Sequence, residues 1–177
     1  MPEGTGKARQ LLTINYHQDT NRIVARLLRS RGYEVFTAGT FSEAEQIIST
    51  QAIDLAVCRM TASDGDGAEF IERIYRKYGV PSVAVSGSIE NQSRAARLSS
   101  RAMRGLLWIP INVNIMYLAI ATALSGSRHR VGVCPDCDGQ GSVLLLTTKR
   151  ECQRCDGSGI EIPTVENGLS AINAGVP

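Results

Sequence analysis

Two copies of one eight-residue pattern lie near the C-terminus, CPDCDGQG at Cys134–Gly141 and CQRCDGSG at Cys152–Gly159. Each reads C-x-x-C-x-G-x-G, and 14 residues separate Cys137 from Cys152. A thiolate pair flanking two residues supplies two corners of a tetrahedron from one tight turn, and the second copy supplies the other two. The glycines admit backbone conformations that a side chain would block, so amide hydrogens can turn toward the sulfurs. Cys134, Cys137, Cys152 and Cys155 are therefore the expected ligands of one structural Zn2+. Four thiolates close the coordination sphere and leave no open position for a substrate. Thiol redox or holdase chemistry is the competing use of C-x-x-C pairs, but no strand–C-x-x-C–helix context surrounds either copy.

The repeats resemble the cysteine-rich zinc region of DnaJ-type co-chaperones, over about 26 residues. That family typically has four repeats and two metals; this chain has two repeats, enough for one metal. No segment resembles the J-domain or its His-Pro-Asp signature, so recruitment of a chaperone ATPase is not implied. The resemblance implies a ligand set and a small ribbon, and leaves the partner open.

A chain of 177 residues allows one ordinary domain plus a small appendage. Apolar residues make up 43%, enough for a core, and no run approaches the roughly 18 to 20 apolar residues of a membrane span. The N-terminus, MPEGTGKARQ, lacks the apolar stretch of a secretory signal, so a cytoplasmic location is expected. A reducing compartment favours metal over disulfides for the clustered cysteines. Cys58, in the apolar run IDLAVC, reads as a buried small hydrophobe. A net charge of +2 does not by itself imply nucleic acid.

The elements that must carry the ribbon come before it. Short apolar runs at Leu11–Ile14, Tyr33–Thr37, Ile53–Cys58, Ser82–Ser86 and Gly105–Ile109 predict strands. Helical periodicity predicts helices over Asp19–Ser30, Ser42–Ser49, Ala68–Tyr78, Asn91–Arg104 and Asn112–Leu124. Ser42 with Glu45 reads as a capping box, and Gly32 and Gly79 as helix terminators. Alternating strands and helices imply right-handed βαβ units and a parallel sheet covered on both faces. The expected organisation is a flexible tail over 1–8, an α/β domain over 9–124, a linker over 125–130, the ribbon over 131–162 and a loosely ordered tail over 163–177. Val143–Thr148 is expected to form a hairpin strand between the two cysteine turns.

Residues 9–124 resemble the receiver domain of response regulators. The resemblance rests on RGYEVFTAGT before a Ser-Glu-Ala helix start, the IDLAV strand, Asp66-Gly67-x-Glu69 opening the third helix, PSVAVSG as fourth strand and WIP before the last helix. It implies a flavodoxin-like (βα)5 sheet in the order 2-1-3-4-5, with the site at the carboxyl ends of the strands. It also implies where the phosphoryl chemistry would sit: a strand-end aspartate at Arg59, an acid pair at Asn15 and Tyr16, a Ser or Thr at Ser86, and a lysine before Pro110 at Ile109. Only Ser86 and Pro110 keep the family's residue types. A guanidinium cannot accept a phosphoryl group as a carboxylate does, and an Asn–Tyr pair offers neutral oxygens to a cation that prefers carboxylates. These changes define a degenerate phosphoacceptor pocket, a pseudo-receiver in which no Mg2+ is expected.

Asp64 and Asp66 in SDGDG read as a turn and helix start, because the rest of a calcium loop is missing. Arg59 is expected either to form an ion pair with Asp19, Asp64 or Asp66 or to sense an anion. Arg94, Arg97, Arg101 and Arg104 fall within an arc of roughly 80° on the predicted fourth helix. Arg22, Arg26 and Arg29 make a similar stripe on the first helix. Such stripes are usually solvated faces, but by resemblance the one with Arg94 lies on the fourth-helix to fifth-helix face, where receivers meet partners. Trp108 is expected to pack in the fifth strand, and His17 and His129 have no metal spacing.

These readings converge on a non-enzymatic, phosphorylation-independent adaptor or regulator in bacterial signalling. Its expected partners are proteins, acidic ones suiting the arginine face, or a second copy through the fourth-helix to fifth-helix face. The alternatives are a nucleic-acid-binding regulator using the ribbon with Lys149, Arg150 and Arg154, and a conventional response regulator in a phosphorelay.

Overall fold

The computed structural model describes residues 7–162. The expected C-terminal tail, and all of the N-terminal tail except Lys7 and Ala8, lie outside the described residues. Five strands form one parallel sheet: β1 (Gln10–Ile14), β2 (Glu34–Ala38), β3 (Leu55–Arg59), β6 (Ser82–Ser86) and β7 (Met103–Trp108), in the order β2-β1-β3-β6-β7. A hairpin of two residues per strand, β4 (Thr61–Ala62) and β5 (Gly65–Asp66), is inserted after β3. Setting that hairpin aside, this is the flavodoxin-like order expected from the sequence.

The inner strands are apolar along nearly their whole length because helices cover both faces. Alternate side chains feed different cores. Leu55 and Val57 join one core with α1 (Gln18–Arg29) and α5 (Val113–Leu124). Ala56 and Cys58 join the other with α2 (Phe41–Thr50), α3 (Gly67–Tyr78) and α4 (Ile89–Ala96). Cys58 is fully buried, as expected, and burial raises its thiol pKa far above the ordinary value. Half-buried Trp108 ends β7 and packs on the second of these cores.

Three local expectations are corrected. The fourth helix stops at Ala96 instead of Arg104, because Met103–Trp108 pair with Ser82–Ser86 and sheet pairing outweighs the helical periodicity. Ser99 marks the break, donating its amide to the Glu72 carboxylate at 3.0 Å. The cap of α2 lies two residues upstream of Ser42 and Glu45. There Thr40 Oγ1 accepts from the Glu43 amide and Glu43 accepts from the Gly39 amide. Between the cysteine turns the chain forms two strands, β8 (Ser142–Leu145) and β9 (Thr148–Glu151), because Leu146 turns the backbone at φ 58°.

The cysteine-bearing segment is not tethered by an exposed linker along its full length. Arg130, counted in the sequence as linker, is 3% exposed. Val131 then bridges Gly105 in parallel on the outer edge of β7, and the Leu106 amide donates to its carbonyl at 2.7 Å. Val131 enters the α5-side core while Val133 and Ile160 enter the opposite one.

Candidate metal centre and the crevice at the carboxyl edge of the sheet

The four sequence-predicted cysteines converge. Their Sγ atoms all lie within 4.8 Å of one another, with Cys134–Cys152 at 3.9 Å and Cys137–Cys155 at 3.7 Å. Zinc held by four sulfurs at about 2.3 Å sets them about 3.8 Å apart around a tetrahedron, so the donor set fits. No pair is bonded; a disulfide requires about 2.05 Å.

The two repeats build matching halves. Asp138 and Asp156 take φ 48° and 45°, and each is followed by a left-handed glycine. The Gly141 amide donates to Cys137 Sγ and the Gly159 amide to Cys155 Sγ, both at 3.2 Å. Such donors stabilise thiolates and fix their orientation. The halves interlock through Cys134 N to Gly159 O and Cys152 N to Gly141 O. Without metal, burial pushes the Cys134 thiol up to about 12 and raises that of Cys137. At Cys152 burial acts in the same direction, but the amides of Cys155 and Arg154 outweigh it and lower the pKa. A metal ion has to displace the protons that burial retains.

The second constellation lies at the carboxyl ends of the strands. Asn15 and Tyr16 follow β1, Arg59 ends β3, Ser86 ends β6 and Ile109 follows β7. The β1/β3 pair is the switch point at which the strand order reverses. Arg59 does not form the expected ion pair. Its guanidinium lies 4.9 Å over the Tyr16 ring and donates to the Tyr16 hydroxyl at 3.4 Å. The acids expected to meet it are engaged elsewhere. Asp64 accepts from the Phe41 and Ser42 amides and from Ser42 Oγ. Asp66 caps α3 through the Ala68 and Glu69 amides and pairs with Arg94 at 2.9 Å. Asp19 lies 3.7 Å from Arg22. Partial burial raises the pKa of Asp64 and Asp66, but these donors outweigh it and hold both carboxyls below the usual range. Ser86, 4% exposed, is occupied with the backbone of Ser88, and Ile109 precedes Pro110 across a cis bond.

The arginine stripe on the fourth helix does not form. Arg94 lies on α4 and Arg97 at its C-cap, while Arg101 sits in the following turn and half-buried Arg104 in β7. Two features escape sequence reasoning. Arg130 is buried between the cysteine segment and the sheet, and no local pattern marks it. Leu144, Leu145 and Leu146 crown the hairpin with 71, 52 and 97% exposure; the LLL run was visible, but its position at a turn was not.

Residues 11–120 match the response regulator receiver domain family, and the chain belongs to it. It is 27% identical over 126 residues to the KDP operon transcriptional regulatory protein KdpE of Escherichia coli (strain K12), covering 71% of this chain and 55% of that one. The chain thus spans about half the length of this curated relative. Solved structures share the fold. A CheY-like receiver domain protein from Methanospirillum hungatei JF-1 aligns with TM-score 0.60 and 21% identity, over 67% of this chain and 95% of that one. The receiver domain of an HD domain-containing protein from Pseudomonas fluorescens Pf-5 aligns with TM-score 0.62 and 18% identity, over 71% and 93%. The family match ends before Cys134. Among the described residues no helix is long and apolar enough to cross a membrane.

Proposed function

We propose that this chain is a phosphorylation-independent signalling adaptor or regulator. In this reading the receiver fold docks one partner, and a ribbon closed by one structural zinc supplies a second protein-binding surface. Arg59 carries the reading: the strand end that should present a nucleophilic carboxylate presents a permanent cation stacked on Tyr16. Incubation with acetyl phosphate and Mg2+, followed by intact-mass measurement, is expected to leave the mass unchanged. An adduct of one phosphoryl group would sink the proposal.

The leucine crown supports the second surface, since three adjacent exposed leucines add nothing to either core. The broken arginine stripe, and Arg154 paired with Asp136 and Glu161, favour protein over nucleic acid as partner. Leu146 holds a left-handed conformation that asparagine adopts more readily. Leu146→Asn is therefore expected to stabilise the hairpin by about 1 kcal/mol while weakening partner capture at least severalfold. A variant that melts earlier, or one that captures partner as well as the natural chain, contradicts this assignment.

A further inference from the structure

Arg130 is the one charged residue buried among the described residues. Its guanidinium divides its hydrogen bonds between two bodies. Nη1 donates to the carbonyls of Leu98, in the stretch linking α4 to β7, and of Met103, the first residue of β7, at 3.3 and 3.5 Å. Nη2 donates to the backbone carbonyl and to Oδ1 of Asp138, at 2.9 and 2.8 Å. Asp138 directly follows Cys137, and its φ of 48° is part of the turn that aims the sulfur. The next residue, Gly139, lies so close to α4 that an added Cβ would sit 2.0 Å from the Ala96 carbonyl oxygen.

We infer that Arg130 couples the metal centre to the body of the receiver, so that bound metal acts as an effector of α4 and β7. This rests on the reading of the four cysteines as metal ligands. Metal fixes the Cys134–Cys137 turn, the turn fixes both Asp138 acceptors, and these acceptors include the only carboxylate among the described residues paired with the buried guanidinium. Release of the metal loosens the turn and leaves Arg130 a buried cation facing two carbonyls, which is unfavourable enough to favour separation of the two bodies. Separation removes the Val131 bridge and opens the outer edge of β7. Coupling is reciprocal: what metal does for docking, docking does for metal affinity. Arg130 is thus a positioning residue, acting on the sulfurs through Asp138.

The test uses the full chain with zinc, a competing chromogenic chelator, and hydrogen exchange with and without metal. Arg130→Gln is expected to lower zinc affinity about 10- to 100-fold, the range typical of groups that orient metal ligands. Zinc removal from the natural chain is expected to speed exchange in β7 and the end of α4. Asp138→Asn, which keeps the backbone acceptor and removes the charge, should shift both readouts in the same direction and serves if Arg130→Gln does not fold. Arg154→Gln breaks contacts confined to the cysteine segment and should leave the exchange response of α4 and β7 as in the natural chain. Failure of the natural chain to bind zinc overturns the ligand reading itself. Zinc binding with unchanged affinity in both Arg130→Gln and Asp138→Asn, or with no metal-dependent exchange at α4 and β7, overturns the coupling alone.

Discussion

Gly139→Ala is expected to destabilise the protein by about 3 kcal/mol or more, and Gly157→Ala by only about 1 kcal/mol. The two glycines hold equivalent places in the two repeats, with φ of 79° and 74°. Any L-residue at either position therefore meets a similar backbone penalty. What differs is the neighbour. A Cβ on Gly139 would lie 2.0 Å from the Ala96 carbonyl oxygen and 2.7 Å from its carbon, backbone that cannot move without displacing the end of α4. A Cβ on Gly157 would meet the Glu151 carboxylate at 2.5 Å, the free end of an exposed side chain that can rotate away. Gly141 and Gly159 provide an internal control, since each faces carbonyl oxygen of the opposite repeat at 2.1 Å and alanine there should be equally damaging at both. Denaturant unfolding of the metal-loaded variants measures all four. Equal losses at positions 139 and 157 would contradict the asymmetric docking of the first cysteine turn on the receiver body.

That asymmetry lies in the packing and was invisible in the repeats, which differ only at Pro135/Gln153, Asp136/Arg154 and Gln140/Ser158, none of them a cysteine or glycine. The sheet order and the four-cysteine cluster were legible because each follows from a periodic signal: apolar runs alternating with helical stretches, and thiol pairs at fixed spacing. Reading failed where a tertiary contact overrode a local pattern. Arg101 and Arg104 continue the helical spacing of Arg94 and Arg97, yet β7 needs Met103 at the sheet and ends the helix early. Arg59 lies near several acids in sequence and topology, but backbone amides at two helix starts hold Asp64 and Asp66. Arg130 gave no signal at all. Its role depends on Leu98, Met103 and Asp138 converging, and only the folded chain brings these together.

Zinc affinity is expected to fall by at least about a hundredfold for each pH unit between pH 8 and pH 6. Burial pushes the metal-free Cys134 thiol up to about 12 and holds Cys137 above the ordinary thiol value, so both carry protons throughout this window. Metal takes thiolates, so binding expels at least these two protons, and each contributes one factor of ten per pH unit. The sign follows from mass action. Acid restores the protonated thiols and opposes binding; affinity rises with pH until the metal-free thiols ionise, which for Cys134 is near 12. Cys152 contributes less because the amides of Cys155 and Arg154 lower its pKa despite burial. Carboxylates do not confuse the readout: Asp64 and Asp66 titrate below the usual range, so the stability they confer persists across the window and is lost only in stronger acid. Chelator competition at pH 6, 7 and 8 gives the slope directly. A dependence shallower than two protons per metal would mean that thiolates pre-exist in the metal-free cluster, and would overturn burial as the dominant influence on Cys134 and Cys137. A slope of two or more makes acid, like chelation, a means of emptying the cluster, and the Arg130 contact with Asp138 should weaken as the metal leaves.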